Sequence, residues 1–165
     1  MKRQRKKYEK PLRPWDKTGI EIEKKLKKDY GLRRKREIRV AESILRNYRG
    51  LARDLAAKKN KEKEKILLDK VVKMGLINPD ASLDNVLALT VEKILDRRLQ
   101  TLVYKKGLCH SLGQARQYIV HGHIAVNGRR IRWPSLLVPL SEESKISFYE
   151  KSKIRICEKV EAKSS

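Results

Sequence analysis

The chain has 165 residues, with 42 Lys and Arg against 20 Asp and Glu and a formal net charge of +22. That length allows one domain, or two small ones with arms. A surplus of this size opposes compaction by self-repulsion and is relieved by a polyanion, so nucleic acid or an anionic membrane surface is the partner class to test. With 39% hydrophobic and 5% aromatic residues, the expected core is small and split. No window approaches the roughly 18 consecutive apolar residues of a spanning helix. No apolar stretch follows the basic N-terminus, as a secretory signal requires. Cys109 and Cys157 form no CxxC pair, so the expectation is a reduced, intracellular protein.

Residues 1–19 read as a basic arm with Pro11, Pro14 and Trp15 and no apolar period, expected to be disordered when alone. Against RNA, Lys2, Arg3, Arg5, Lys6, Lys7 and Arg13 would lie along phosphates, and Trp15 with Tyr8 would stack or pack. Residues 1–40 carry 17 Lys/Arg and 6 Asp/Glu, so half of the net charge lies in the first quarter of the chain. That concentration favours a binding arm over a solvated tail.

Residues 20–95 read as a helical region. Ile20–Lys28 predicts a short helix that stops at Gly31. A long helix from about Leu32 to Lys59 follows, with Ile38, Ala41, Ile44, Leu45, Tyr48, Leu51, Ala52, Leu55 and Ala56 at helical spacing. Arg39, Arg46, Arg49 and Arg53 take its other face, and Gly50 marks a bend or a close packing contact. The charge run Lys58–Lys65 reads as an exposed turn. A helix over about Lys63–Lys73 ends at Met74-Gly75, and Asn78-Pro79-Asp80 makes a turn. A short helix over Val91–Leu95 follows, with Thr90 as N-cap. No internal repeat is present.

Residues 96–150 read as a compact module, and residues 151–165 as a polar tail. Asp96 is expected to cap a helix from Arg97 to Lys105 that buries Leu99, Leu102 and Val103 and stops at Gly107. Ser111-Leu112-Gly113-Gln114 fits a capping box at the start of a second helix. That helix turns Ala115, Tyr118 and Ile119 to the core and ends at Gly122. Its N-terminus also suits a phosphate. Ile124-Ala125-Val126 alternates as a strand, and Asn127-Gly128 is the preferred pair for a type I′ hairpin. That turn pairs Val126 with Arg129 and Ile124 with Ile131. It leaves His123, Ala125, Arg130 and Arg132 on a second, basic and solvent-facing side. Lys145–Tyr149 would close a small antiparallel sheet.

The fold class is therefore α+β. Residues 96–133 hold eight Lys/Arg (Arg97, Arg98, Lys105, Lys106, Arg116, Arg129, Arg130 and Arg132) and one acid, Asp96. Ser111, Gln114, Gln117, His121 and Asn127 add groups that hydrogen-bond to phosphate, 2′-hydroxyl or base edges.

The pattern DRRLQTLVYKKGL, then SLGQARQYIVHGHIAVNGRRI, resembles the S-four RNA-binding module, a helix–helix–strand core named after small-subunit ribosomal protein four. RPWDK at 13–17, DYGLRRKRE at 29–37 and LTVEKILDRRLQT at 89–101 resemble the archaeal and eukaryotic form of that ribosomal-protein family. The resemblance covers nearly the whole chain. It implies binding to the 5′ domain of small-subunit rRNA at a multi-helix junction, early nucleation of the subunit body, and contact with ribosomal protein five at an interface that affects decoding accuracy. It also implies proximity to mRNA where the message enters the subunit. In the module it places RNA contacts on Arg97, Arg98, Ser111, Gln114, Arg116, Gln117, His121, His123 and Asn127, and Arg116, Gln117, His123 and Asn127 match best. The N-terminal cysteine cluster of many bacterial members is missing here, as is the long basic C-terminal extension of the eukaryotic form. The archaeal type fits best.

Other classes fit less well. No Ser-His-Asp set or Gly-rich nucleotide loop is evident, so no enzyme and no cofactor are expected. Cys109-His110 with His121-x-His123 lacks usual zinc spacing, so no metal is expected. The same module is appended to pseudouridine synthases and some aminoacyl-tRNA synthetases, but residues 1–95 do not read as a catalytic domain. A free-standing RNA-binding factor acting on ribosomal subunits or tRNA is the alternative, and the long helical N-terminal half argues against it. A polybasic membrane-surface protein would need a Trp- and Phe-rich helix face, which is missing. No homo-oligomer is expected, and the expected location is cytoplasmic, in the small subunit.

Overall fold

The structure is a computed structural model that describes residues 6–58 and 60–152. The chain divides into two compact units, with the division between Arg97 and Arg98.

The first unit is helical. Helix α1 spans Lys17–Asp29, earlier than its apolar pattern suggests, because Asp16 caps it and accepts from the Thr18 N–H and hydroxyl. It ends through Tyr30 and Gly31, whose φ is 55°. Helix α2 (Lys35–Lys58) is the spine on which α1 and three later helices pack. Its buried stripe is Ile38, Ala41, Leu45 and Ala52. It runs unbroken through Gly50, and nothing lies within 4 Å of where a Cβ would sit there, so the expected close contact is absent.

Most of the charge run expected to be a turn is helical. Helix α3 spans Lys61–Lys73, and Asn60 accepts the Lys63 N–H at 3.3 Å. Glu62 and Glu64 in the first turn suit the positive end of the helix dipole. Exposed charge here marks surface, not loop. Helices α4 (Leu83–Leu87) and α5 (Val91–Asp96) complete the unit. Thr90 takes the N-cap position of α5 but makes no side-chain cap bond.

Glu23 on α1 meets Lys35 at 2.8 Å and Arg39 at 3.7 Å. Burial, then the neighbouring Glu23 carboxylate, push the Glu42 carboxyl up, against the opposing pull of Arg39. The folded chain thus holds this proton more tightly than the unfolded chain. The associated stability is present at low pH and lost as pH rises through the folded pKa. Glu42→Gln is therefore expected to melt above the parent at about pH 7, with the advantage fading toward about pH 4. A melting series over that range checks this, and a variant that melts lower at neutral pH contradicts it.

The second unit holds helices α6 (Leu99–Lys105), α7 (Leu112–His121) and the four-residue α8 (Leu140–Glu143). Strands β1 (Ile124–Val126), β2 (Arg129–Arg130) and β3 (Ile146–Phe148) form one antiparallel sheet in the order β2-β1-β3. Asp96 does not cap α6. It is the last residue of α5, and its carboxylate accepts from the Tyr30 hydroxyl, while Arg98 takes the N-cap position. Tyr30 is pushed up to about 12 by burial first and then by the Asp96 and Glu92 charges.

The core of this unit is Leu99, Leu102, Val103, Cys109, Ala115, Ile119, Ile124, Val126, Val138 and Ile146. Val126 pairs with Arg129, and the Ile131 N–H donates to the Ile124 carbonyl at 3.1 Å, which is the expected register. Ala125 departs from expectation. It lies on the central strand, pairs with Arg130 and Ser147 and is 1% exposed, so this side of β1 is buried and not solvent-facing. The hairpin turn has φ of 53° at Asn127 and 75° at Gly128, both left-handed as a type I′ turn requires. Asn127→Ala is expected to destabilise the unit by about 1 kcal/mol, since alanine tolerates that region less well. An unchanged melting temperature would count against this role.

Candidate nucleic-acid interface

No Asp or Glu occurs between Asp96 and Glu142, so this part of the second unit offers positive charge and neutral donors with no acid of its own. The α6–α7 connection carries exposed Lys105 and half-exposed Lys106. Gly107 ends α6 with φ of 70°. Ser111 then caps α7, accepting the Gln114 N–H at 3.2 Å. The reciprocal half of the capping box is shifted by one residue: Gln114 Oε1 accepts from the His110 N–H at 2.8 Å. Gln114 also donates to the Tyr118 hydroxyl at 2.7 Å, so both ends of its amide are occupied.

Gln114, Gln117 and His121 fall at i, i+3 and i+7 on α7 and share one face. Gln117 and His121 are exposed. The His121 ring stacks beside His123 at 6.3 Å between centroids. His123 in turn meets Tyr118 edge-on at 6.1 Å, and its Nδ1 lies 3.0 Å from the Ser152 hydroxyl. The polar side chains expected from the sequence are therefore brought together along α7 and just beyond its end.

The hairpin is tied to the same end of α7. Arg130 Nε donates to the Gly122 carbonyl at 2.9 Å, and Nη2 donates to the His121 carbonyl at 2.8 Å. Its guanidinium carbon lies 5.8 Å from the centre of the Tyr149 ring. A cation at a helix C-terminus is favourable, so Arg130 is a helix stop as well as an exposed charge. Arg129, its neighbour, is exposed, and among the described residues its side chain has no partner. Asn127 is exposed at the hairpin tip.

Other expected contacts sit differently. Arg97 and Arg98 are 8% and 4% exposed, which sets them apart from the surface set. Arg98 also bridges to Leu137 through its backbone, and its carbonyl accepts the Leu102 N–H. Arg116 is half-buried, with Nη1 3.5 Å from Gln100 Oε1. In the first unit Lys6, Lys7, Arg13 and Trp15 are all exposed, and Glu9 of the same segment pairs with Arg46 on α2. Lys2, Arg3 and Arg5 lie outside the described residues.

Two residues were not anticipated from the sequence. Gln100 is 1% exposed and donates to the Leu112 carbonyl at 3.0 Å, joining α6 to the first turn of α7. Its signal was only a polar residue beside an apolar stripe. Trp133 is 69% exposed, and an aromatic directly after Arg129, Arg130 and Arg132 was a readable signal.

Burial pushes the Cys109 thiol up, more than a backbone hydrogen bond from Ser111 pulls it down. The thiolate that nucleophilic or metal chemistry needs is thus disfavoured. Among the described residues no three His, Cys, Asp or Glu side chains converge on a common point, and no helix is long and apolar enough to cross a membrane.

Helices α6 and α7 and the β1–β2 hairpin lie in the stretch matched by the S4 domain family model, residues 97–144, so the chain carries an S4 domain. The chain is 50% identical over 154 residues to small ribosomal subunit protein uS4 of Nanoarchaeum equitans, covering 90% of this chain and 85% of the relative. It is 48% identical over 158 residues to the uS4 proteins of Saccharolobus islandicus and Saccharolobus solfataricus, covering 93% of this chain and 87% of each relative. The chain belongs to the uS4 family of small ribosomal subunit proteins.

Proposed function

We propose that this chain is a structural, non-catalytic component of the small ribosomal subunit that binds the 5′ domain of the subunit's rRNA. The reading includes early binding at a multi-helix junction, nucleation of the subunit body, a contact with ribosomal protein five that bears on decoding accuracy, and a position near the incoming mRNA. The observation that carries RNA binding is the acid-free stretch from Arg97 to Ser141, which presents exposed Lys105, Gln117, His121, Asn127 and Arg129 on a folded module.

The mechanism is electrostatic docking followed by shape recognition. Lys and Arg side chains displace counterions from phosphates, and the polar face of α7 and the hairpin meets 2′-hydroxyls and splayed bases. Lys106, Ser111 and His123 complete the contact set, with Arg116, Gln114 and Arg130 in a double role because each also holds the module together. Lys6, Lys7, Arg13 and Trp15 supply a second contact area on the first unit. Their exposure supports this.

The adjacent arginines of β2 test the reading, because sequence does not distinguish them and structure does. Arg129→Ala is expected to weaken binding to an rRNA 5′-domain transcript and to reduce the salt slope by about one, with the melting temperature unchanged. Arg130→Ala should lower the melting temperature as well. Unaltered affinity in the Arg129 variant would remove β2 from the interface.

A further inference from the structure

Trp133 is 69% exposed on a backbone that is held from both sides. Before it, the Ile131 N–H donates to the Ile124 carbonyl at 3.1 Å. After it, the Leu136 N–H donates to the Trp133 carbonyl at 3.2 Å, the Gln100 N–H to the Pro134 carbonyl at 3.4 Å, and the Leu99 N–H to the Leu136 carbonyl at 2.8 Å. Pro134 fixes its own φ and restricts the residue before it. The backbone that carries the exposed indole is therefore tied to the hairpin on one side and to α6 on the other. Its setting is basic: Arg129, Arg130 and Arg132 are exposed, and no acid lies in sequence between Asp96 and Glu142. Arg130 is engaged by the end of α7 and by Tyr149, which leaves Arg129 and Arg132 as the cations beside the ring in sequence.

An exposed indole on a tied backbone, in a sequence rich in arginine, has one well-matched ligand chemistry, a nucleobase whose flanking phosphates the arginines neutralise. We propose that Trp133 is a base-stacking site that takes an unpaired nucleobase from a loop or junction of the rRNA. This rests on the rRNA-binding reading above. Every base has a π face, so the site selects for an unstacked nucleotide and not for a sequence. Holding the backbone in place beforehand reduces the ordering cost of binding.

The sequence contains two tryptophans, so a Trp15→Phe background leaves Trp133 as the sole indole. In that background, used for the fluorescence reading alone, the full chain is titrated with an rRNA 5′-domain transcript, and affinity is measured by filter binding on the chain that keeps Trp15. The expected result is quenched Trp133 emission at saturation. Trp133→Ala should weaken binding by about tenfold. Trp133→Phe should retain most of the affinity. The slope of log affinity against log salt should stay unchanged, because a neutral stacking contact releases no counterion. Both variants should melt with their parent.

Unchanged emission together with parental affinity in Trp133→Ala would overturn the stacking site and leave the rRNA reading standing. No binding of the transcript by the unsubstituted chain would overturn both. A lower melting temperature that accounts for the affinity loss would make Trp133 a structural residue and overturn the proposal. A spectral change that appears only on adding another small-subunit protein would assign the indole to a protein contact and overturn it too.

Discussion

Gly122→Ala is expected to destabilise the module by about 2–3 kcal/mol, because it combines a backbone cost with the loss of a tertiary staple. Gly122 ends α7 in the left-handed region, with φ of 75° and ψ of 36°. A side chain there costs about 1–2 kcal/mol on its own. The added Cβ would also lie 2.1 Å from Arg130 Nε and 2.7 Å from its Cζ. A guanidinium at the end of a flexible side chain can swing away, but it then gives up the Gly122 and His121 carbonyls. For a unit of this size the melting temperature should fall by about 10 °C. The two terms are separable. In an Arg130→Ala background, Gly122→Ala should cost less, since only the backbone term remains. Full additivity would show that Gly122→Ala leaves the staple undisturbed, and an unchanged melting temperature would contradict the whole account of this corner.

The largest expected effect on function is the salt dependence of rRNA binding. With about six to ten phosphate contacts, affinity should fall about 10³–10⁵-fold between about 50 and 200 mM salt. The surplus of Lys and Arg, 42 against 20 acids, makes contacts of that number available. Filter binding across that range measures the slope directly. A nearly flat slope would mean that neutral contacts dominate, and the docking mechanism would have to be abandoned.

Much of this architecture was legible in the sequence where one local rule decides the outcome. The stripe Ile38, Ala41, Leu45 and Ala52 has helical spacing and is buried as expected. Ser111 caps α7, Gly107 and Gly122 stop the two module helices, and Asn127-Gly128 turns the hairpin in the expected register. Each of these depends on residues within a few positions of one another.

The misreadings come from tertiary partners. Asp96 has the chemistry of an N-cap, but Tyr30, far away in sequence, takes its carboxylate. Lys58–Lys65 reads as loop because it is charged, yet the Asn60 cap makes most of it helix. Arg129 and Arg130 are indistinguishable in sequence, and only the end of α7 assigns one of them to structure. Arg97 and Arg98 are RNA contacts by resemblance alone, and their burial was not visible locally. Motif reading therefore places the helices and the hairpin of the module but does not sort the polar residues that hold it together from those exposed on it.

The most direct test of the central claim is competitive binding of the purified chain to an rRNA 5′-domain transcript at near-physiological salt. Excess tRNA and an rRNA 3′-domain transcript serve as competitors. The account predicts tight binding that survives both. Equal competition by all three RNAs would show that charge alone drives association, and would contradict specific recognition of the 5′ domain.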